Sequence, residues 1–303
     1  MKKNKILIGT RASKLAMIYA NRAKNEISKV FSGEIELVKI KTDGDQNHKD
    51  RLSEIGGKGL FSKKIEEELI NNKIDLAVHA LKDMPSEETQ GLTTKCFLKR
   101  SSPEEILITK DNKKLSELNS NSIIGTSSFR REFQLKRIRG DLNYRTIRGN
   151  VDTRISKLYN NEFDAIILSK AGIKSLNLDH LISQEFSTDE IIPSAGQGVV
   201  SIQCREKDEN IINLLGKIND EESSLSAESE RKVLNILEGD CHTAVGVFSK
   251  IKEDKFEITG ELFSVDGKHR YFKKIKDKVS NYLNAGIELG KYLKLEAKDS
   301  YKK

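Results

Sequence analysis

The chain has 303 residues, enough for two or three domains that each bury a core. Its 53 lysines and arginines against 46 aspartates and glutamates give a net charge of +7, and the two signs are interspersed along the chain. Aromatic residues are few and tryptophan is absent, so a well-solvated surface is favoured over a nucleic-acid interface.

The cysteines and the N-terminal segment indicate a reducing compartment. Cys96, Cys204 and Cys241 are far apart, and an odd number without a paired motif argues against a disulfide framework and a zinc site. Cys96 and Cys204 lie in apolar segments and are expected to be buried. The apolar run near the N-terminus is too short for a signal peptide, and no segment has the length of a membrane span. We therefore expect a cytoplasmic protein without a metal site.

The first hundred residues alternate short apolar strands with helices, which is typical of an α/β sheet with mostly parallel strands. A strand at 5–8 precedes a helix that begins after Ser13, its predicted N-cap. Further strands are predicted at 34–40 and 74–79, with a helix at 61–71 between them.

A second part of the chain echoes this pattern. Residues 123–130 repeat the strand, Gly-Thr, hydroxyl and Arg sequence of 8–13, and 163–167 repeat the apolar-Asp-strand sequence of 74–78. The echoes predict two lobes of similar topology, with a ligand in the cleft between them. The polar segments expected to carry the chain between the lobes are 101–103 and 193–196.

From about residue 220 the pattern changes to that of a small α+β domain. A helix at 226–237 is predicted to stop at Gly239, and a final helix covers roughly 280–295. Between them an antiparallel meander is expected, with strands at 244–248, 255–259, 262–265 and 271–275.

Arginines follow two of the predicted strands, where helices are expected to begin. A helix start has unpaired N–H groups and a positive dipole end, and guanidinium groups bind carboxylate or phosphate through two hydrogen bonds. The pattern therefore predicts a site for a ligand with several negative charges. The arginines concerned are Arg130, Arg131, Arg148 and Arg154.

Lys82 and Asp83 follow the strand 74–79, so Asp83 is expected at the sheet edge facing the cleft. From spacing alone an ordinary turn beside Pro85 fits better than a functional role. A functional aspartate there, surrounded by cations, would stabilise a positively charged intermediate. The glycine-rich segment 56–59 lacks P-loop spacing and is interpreted as a mobile lid that carries Lys58.

Cys241 differs from the other two cysteines because it lies in a turn between a helix and a strand. An exposed turn permits thiolate chemistry, although the neighbouring Glu238 and Asp240 would raise the pKa of the thiol. His79, at the end of a strand, is interpreted as a packed residue rather than a base.

Taken in order, these motifs resemble those of the hydroxymethylbilane synthases, also called porphobilinogen deaminases, over nearly the whole chain. The motifs lie at 9–13, 56–61, 75–85, 125–131, 148–154, 193–198 and 237–241. The resemblance implies two periplasmic-binding-protein-like lobes with mixed, mostly parallel sheets, and a small C-terminal α+β domain with an antiparallel sheet. The implied boundaries are 1–99 with 197–217 for the first lobe, 100–196 for the second lobe, and 218–303 for the domain that carries Cys241.

The resemblance also implies a transferase of porphyrin (haem) biosynthesis. The family joins four porphobilinogen molecules head to tail on a dipyrromethane cofactor, bound to a cysteine by a thioether, and releases hydroxymethylbilane. Asp83 matches the catalytic carboxylate, and Cys241 matches the cysteine that carries the cofactor. The positions that match further cofactor-binding residues are Lys82, Asp45, Thr126, Ser128, Arg130 and Arg131. Those that match substrate-binding residues are Arg11, Ser13, Lys58, Phe61, Arg148, Arg154 and Gln197.

The chain departs from the family pattern at two positions. Ala80 stands where the strand-end motif has Ser, and Asp240 stands where the cofactor loop has Gly. Asp240 brings a Cβ atom and an anion close to the thiol that must react, so the geometry of this loop is where the resemblance transfers least directly.

We expect a monomer that acts on porphobilinogen and hands its product to the next enzyme of the pathway, without binding nucleic acid or membranes. One alternative is a non-catalytic, two-lobed carboxylate-binding protein, which would need neither Asp83 nor Cys241. Another is a nucleic-acid binder, which would show steep salt dependence and against which the interspersed acidic residues count.

Overall fold

The computed structural model of the protein describes residues 4–42, 59, 62–239 and 243–302. Its strands are β1 Lys5–Arg11, β2 Glu34–Ile40, β3 Leu76–Ala80, β4 Leu92–Phe97, β5 Glu105–Thr109, β6 Ile123–Gly125, β7 Asn143–Arg145, β8 Ala165–Ser169, β9 Gln184–Phe186, β10 Val200–Arg205, β11 Val245–Lys252, β12 Lys255–Phe263 and β13 Arg270–Lys278. Its α-helices are α1 Lys14–Ser28, α2 Lys63–Ile70, α3 Phe129–Ile138, α4 Val151–Tyr159, α5 Lys170–Ser175, α6 Glu209–Gly216, α7 Glu221–Leu237 and α8 Tyr282–Ala297.

Two five-stranded sheets of the same topology dominate the structure. The first has the strand order β2-β1-β3-β10-β4, and the second has the order β7-β6-β8-β5-β9. In each sheet the fourth strand runs antiparallel to both of its neighbours, while the first three strands are parallel. Because β10 joins the first sheet after the second sheet has been built, the chain passes between the two lobes twice. The α/β fold class is confirmed, and the lobe boundaries proposed above stay a prediction.

One aspartate in each lobe explains why the same sequence motif occurs twice. The Oδ2 atom of Asp75, just before β3, accepts a hydrogen bond from the backbone N–H of Leu7 in β1 at 2.9 Å. In the second lobe, Oδ2 of Asp164 accepts a hydrogen bond from the N–H of Ile123 in β6 at 2.7 Å. Each carboxylate therefore fixes the central strand against its neighbour, which explains why the Asp recurs at the same place in both motifs.

The C-terminal sheet has three strands, β11-β12-β13, where the sequence predicted four. The predicted strands 255–259 and 262–265 are in fact joined through Gly260 in the single strand β12. The glycine is required by close packing rather than by a turn, because a Cβ atom there would lie 2.9 Å from Leu289 Cδ2 of α8. Helix α7 ends at Leu237, close to the predicted end.

The buried carboxylate of Glu230 on α7 joins segments from all parts of the chain. It forms a two-bond ion pair with Arg100, with Nη1–Oε1 at 2.9 Å and Nη2–Oε2 at 2.6 Å. It also accepts hydrogen bonds from the N–H of Gly196 at 2.7 Å and from the N–H of Ser249 on β11 at 2.8 Å. Arg100 and Gly196 belong to the two passages between the lobes, so this one side chain ties both passages to the C-terminal domain.

We predict that Glu230→Gln lowers the free energy of unfolding by about 3–5 kcal/mol, because it leaves the mostly buried Arg100 without its counter-charge. Urea denaturation followed by circular dichroism measures the change. The control is Glu228→Gln on the same helix, an exposed residue that accepts hydrogen bonds from Ser224 and from the Tyr282 hydroxyl. We expect about 1 kcal/mol or less for this control. Equal losses for the two variants would contradict the assigned role of Glu230.

Candidate active site

A cavity of about 60 Å³ lies where β1 passes into α1, beside the end of β3. Its wall is formed by side chains and backbone from these two parts of the first lobe. Those that bear on the chemistry are Arg11, Ser13, Tyr19, His79, Ala80 and Asp83. The cavity therefore lies at the carboxyl edge of the parallel strands, the place where α/β sheets bind ligands.

Local structure explains how the residues from the first lobe reach this cavity. Arg11 is the last residue of β1, and Ser13 is the N-cap of α1, with its Oγ accepting a hydrogen bond from the N–H of Ala16 at 3.3 Å. Asp83 closes a short 3-10 turn, Leu81–Asp83, directly after β3. Its side chain is exposed at this edge rather than packed into the core.

The second lobe presents its arginines at the equivalent edge. Ser128 is the N-cap of α3, and Arg130 and Arg131 follow in its first turn. Both arginines bind the buried carboxylate of Glu105, the first residue of β5, at 2.6 Å and 2.8 Å respectively. Nη1 of Arg130 also donates to the carbonyl of Ile192 at 2.8 Å. Thr126 is buried just before this turn.

Lys82 of the first lobe lies close enough to the second-lobe edge for its charged groups to affect the pKa of Lys82. Its Nζ atom donates to Oε1 of the buried Gln197 at 3.2 Å. Burial lowers the pKa of Lys82 to about 8, and Arg131 adds to this effect, while Asp83 and Glu105 oppose it. Lys82 therefore lies among cations of the second lobe and beside the exposed aspartate of the first.

The charge of Glu105 is held in place by the same group. Burial raises the pKa of its carboxyl, but Arg131, Arg130 and Lys82 outweigh burial and bring the pKa to about 2. The carboxylate therefore stays ionised at any pH near neutrality and neutralises part of the surrounding positive charge.

Arg148 and Arg154 complete the cationic group at the start of α4. Nε of Arg154 donates to the carbonyl of Gly149 at 2.8 Å. Burial lowers the pKa of Arg154 to about 10, with further lowering from Arg131 and Arg148. Asp83 opposes this shift, which places it close to the arginines of the second lobe.

Five of the predicted positions fall outside the described residues. The cofactor cysteine Cys241, its neighbour Asp240, and the predicted ligands Asp45, Lys58 and Phe61 all lie in the segments 43–58, 60–61 and 240–242. Their assignments stay predictions. The other predicted site residues lie around the cleft edges just described.

Two residues of this region were not predicted from the sequence as part of the site. Glu105 begins the otherwise apolar strand Glu-Ile-Leu-Ile-Thr, and a carboxylate in a strand of this kind needs cationic partners. A glutamate in this strand is therefore the sequence signal by which the cationic partners of Glu105 could have been expected. Tyr19 lies on the apolar face of α1, where its sequence position suggested only packing, but it also lines the cavity.

His79 lines the cavity as a neutral side chain. Burial lowers its pKa to about 4, and the nearby Arg11 lowers it further, while a hydrogen bond with Gln203 opposes the shift. His79 is buried, as the sequence predicted, and carries no positive charge at neutral pH. The cations of the site are therefore lysine and arginine side chains.

The donor set fits a ligand with several carboxylates. The cations of the cleft edges are Arg11, Lys82, Arg131, Arg148 and Arg154, and the acidic groups Asp83 and Glu105 oppose the lowering of the Lys82 pKa. Nε of Arg131 is buried and has no hydrogen-bond partner among the described residues. A buried hydrogen-bond donor and a surplus of positive charge both favour the binding of an anionic ligand.

The described residues form neither a metal-binding cluster nor a membrane-spanning helix. Across residues 4–42, 62–239 and 243–302, no three His, Cys, Asp or Glu side chains are grouped so that they could hold a metal ion. Within the described residues, no helix has both the length and the apolar character needed to cross a membrane. Cys96 and Cys204 are buried, as the sequence predicted.

Two family models together match most of the chain. "Porphobilinogen deaminase, dipyromethane cofactor binding domain" matches residues 6–213, and "Porphobilinogen deaminase, C-terminal domain" matches residues 224–299. A porphobilinogen deaminase of Alkaliphilus metalliredigens is 38% identical over 289 residues, which cover 95% of this chain and 92% of the relative. One from Wolbachia sp. subsp. Drosophila simulans is 42% identical over 290 residues, covering 94% and 98% respectively.

Among solved structures, the chain is similar to a putative methionine-binding lipoprotein of Bacillus subtilis. The sequences are 12% identical, the TM-score is 0.45, and the match covers 72% of this chain and 91% of the other. It is also similar to an arginine-binding periplasmic protein of Salmonella typhimurium, at 14% identity and a TM-score of 0.42, covering 75% and 99%. Likeness at this level carries no inference about a ligand.

We predict that Lys82 lowers the free energy of unfolding by an amount that depends on pH. In the unfolded chain Lys82 titrates near 10.5, whereas in the folded protein it titrates near 8. Between these values the unfolded state binds more protons, so the free energy of unfolding rises with pH. Relative to Lys82→Met, the wild type should therefore gain stability as pH rises from about 8 to about 10.5. Urea denaturation of the cofactor-free proteins measures this, and parallel pH profiles would contradict the burial of Lys82 beside Arg131.

Proposed function

Because the chain belongs to the porphobilinogen deaminase family, we propose that it is a hydroxymethylbilane synthase, a transferase of porphyrin biosynthesis. It joins four porphobilinogen molecules head to tail, with loss of ammonia at each step, and releases the linear tetrapyrrole hydroxymethylbilane. The observation that carries the proposal is the match of both family models over nearly the whole chain. The cationic cleft edges around Asp83 agree with it.

The arginines bind the carboxylates of the substrate. Each porphobilinogen carries an acetate and a propionate, so each addition brings two more negative charges into the cleft. Arg11 and Ser13 approach from the first lobe, and Arg148 and Arg154 from the second. Gln197, buried beside Lys82, fixes the ammonium group that faces these anions. Planar guanidinium groups suit this task because they bind a carboxylate through two parallel hydrogen bonds.

The cofactor is a dipyrromethane, for which Cys241 provides the thioether attachment. When bound, it supplies the terminal pyrrole carbon to which the first substrate unit is added. Lys82 and Arg131 are the cations best placed for its carboxylates, with the hydroxyl groups of Thr126 and Ser128 beside them. Arg130 would support this group through its bond to Glu105. Asp45, which lies outside the described residues, would accept a hydrogen bond from a pyrrole N–H.

Asp83 performs the catalytic work. Its carboxylate is exposed at the cavity, where it can accept hydrogen bonds, so its proposed role is to bind pyrrole N–H groups of the substrate. As ammonia leaves porphobilinogen, positive charge develops on the substrate, and a fixed carboxylate stabilises that charge more strongly than water does. Lys58 and Phe61, which lie outside the described residues, are assigned to substrate binding by their match to the family motif.

The remaining parts of the proposal concern the surroundings of the enzyme. It acts as a cytoplasmic monomer and passes its product to the next enzyme of the pathway, without binding nucleic acid or membranes. The curated relatives are porphobilinogen deaminases. They favour catalysis over the alternative of a non-catalytic, two-lobed carboxylate-binding protein.

We predict that the purified protein carries an adduct of two deaminated porphobilinogen units, visible in the intact-protein mass. Cys241→Ser should lack the adduct, because the thioether cannot form without the sulfur atom. Cys204→Ala is the matched control, since Cys204 is buried within the core of the first lobe and should leave the adduct in place. An adduct on Cys241→Ser, or none on the wild type, would rule out the assigned attachment.

We predict that Asp83→Asn lowers kcat for porphobilinogen consumption by about 10²–10³, because the amide keeps the shape but not the negative charge. Mass spectrometry should still show the cofactor on the pre-loaded variant. Glu87→Gln, an exposed acidic residue four positions further on, is the control for loss of one negative charge. Full turnover by Asp83→Asn would exclude a catalytic role for this residue.

A further inference from the structure

One face of helix α3 lies against the C-terminal antiparallel sheet. Arg130, Phe133 and Arg137 follow one another at spacings of three and four residues, which puts them along one side of the helix. Phe133 packs with Ala244 and Phe263 in one cluster of buried side chains. The rings of Phe133 and Phe263, the last residue of β12, meet edge to face with their centroids 5.7 Å apart. An aromatic pair therefore joins α3 to the C-terminal domain.

The turn after β12 encloses the same ring. Gly267 has a φ of +72°, and a Cβ atom on it would lie 2.7 Å from Cδ1 and Cε1 of Phe133, so both the turn and the ring require glycine here. At the outer end of the contact, Nη1 of Arg137 donates to Oε1 of the buried Glu261 at 2.9 Å, and Arg270 of β13 binds the same oxygen. The contact thus has an apolar centre and a charged outer edge.

The same cluster fixes the chain just after Cys241. Ala244 stands three residues beyond this cysteine in the sequence. Its carbonyl accepts a hydrogen bond from the N–H of Phe263 at 3.1 Å, immediately before β11 begins. Phe133 therefore packs where the segment that carries Cys241 joins the C-terminal sheet.

The two points that hold the proposed cofactor lie on opposite sides of this contact. Its sulfur attachment, Cys241, belongs to the C-terminal part of the chain, whereas Arg130 and Arg131 begin α3 and are bound to Glu105 of the second lobe. Burial lowers the pKa of Arg130, while the charges of Glu105 and of Glu261 in the C-terminal sheet raise it. The packing of α3 on the C-terminal sheet therefore sets how far the attachment point lies from the cations.

Resting on the proposed function, we propose that Phe133 is a positioning residue for assembly of the dipyrromethane cofactor, which holds the arginines at the start of α3 at a fixed distance from the segment that carries Cys241. Each porphobilinogen unit loses its aminomethyl nitrogen. The first unit forms a C–S bond with Cys241, the second forms a C–C bond with the free pyrrole carbon of the first, and the displaced S–H or C–H proton leaves with ammonia. The Phe133 contact organises both binding points before these bonds exist.

The consequence is a change in loading rather than in turnover. Without the ring of Phe133, the arrangement with both binding points in place is a smaller fraction of the cofactor-free protein, so more porphobilinogen is needed to load it. The porphobilinogen concentration for half-maximal loading should rise about two- to tenfold, the range that one aromatic pair provides. The value of kcat per loaded molecule should change little, because the attached cofactor then links the two parts. A mere loss of folded protein would lower the loaded amount without this shift.

The experiment loads the full-length protein, produced without cofactor, at a series of porphobilinogen concentrations and follows the adduct by intact-protein mass. Phe133→Leu, Phe263→Leu and the double variant form a double-mutant cycle, in which the double variant should shift the half-loading concentration no further than the larger single shift. Phe256→Leu is the matched control. Phe256 lies near the other end of β12 and forms an edge-to-face pair with Tyr282 of α8, with centroids 6.3 Å apart, inside the C-terminal domain. Its loss should leave the half-loading concentration unchanged.

Arg137→Gln tests the same contact without opening a cavity, because Arg137 is half-exposed. Loss of its bond to Glu261 should also raise the half-loading concentration. An unchanged value for Phe133→Leu, an equal rise for Phe256→Leu, or additive effects in the cycle would each overturn the proposal. If Phe133→Leu does not fold, an unchanged value for Arg137→Gln overturns it. A wild-type protein that gains no adduct would overturn the proposed function instead, and faster amide hydrogen exchange in α3 of Phe133→Leu would still show that the ring holds this helix.

Discussion

The site is governed by one constraint. Several cations are held close together and partly buried, which costs electrostatic free energy. Burial and neighbouring arginines bring the pKa of Lys82 to about 8 and that of Arg154 to about 10. Only interactions with anions can offset this cost, and within the described residues Glu105 is the buried acid that binds both Arg130 and Arg131. It neutralises two arginines incompletely, so the cleft keeps a surplus of positive charge. A substrate with two carboxylates restores that balance, and the same surplus explains why successive dicarboxylate units can be held together in one cleft.

The topology of the two lobes could be predicted closely from the sequence, because short motifs of neighbouring residues determine it. The aspartates Asp75 and Asp164 each hold an adjacent strand by a single side-chain bond, and this bond needs the same short motif in both lobes. The serine N-caps Ser13 and Ser128 are likewise local, since each accepts a bond from an N–H three residues further on. Gly260, in contrast, packs against a distant part of the chain. Its close packing is against α8, far along the chain, and the sequence pattern predicts two strands, 255–259 and 262–265, where the structure has the single strand β12.

The distinction between local motifs and contacts of distant residues also applies to the site. Arg11, Lys82, Asp83 and Arg131 follow the ends of strands, and strand ends in such a sheet meet at one edge, so their proximity could be expected. The roles of Glu105 and Glu230 could not be assigned in this way. Glu230 takes its partners from positions 100, 196 and 249, and no short motif contains them. A buried carboxylate signals from the sequence that cationic partners exist, but it does not say which ones they are.

The two connections between the lobes differ in strength, and this difference suits the chemistry. At the passages of the chain, Glu230 is buried and bound by Arg100 through two bonds of 2.9 Å and 2.6 Å, so breaking this connection costs several kcal/mol. At the rim, the exposed ion pair between Lys14 and Asp152 contributes about 1 kcal/mol or less. The passages therefore keep the lobes joined, while the rim contact can break and reform as the bound chain of pyrroles lengthens.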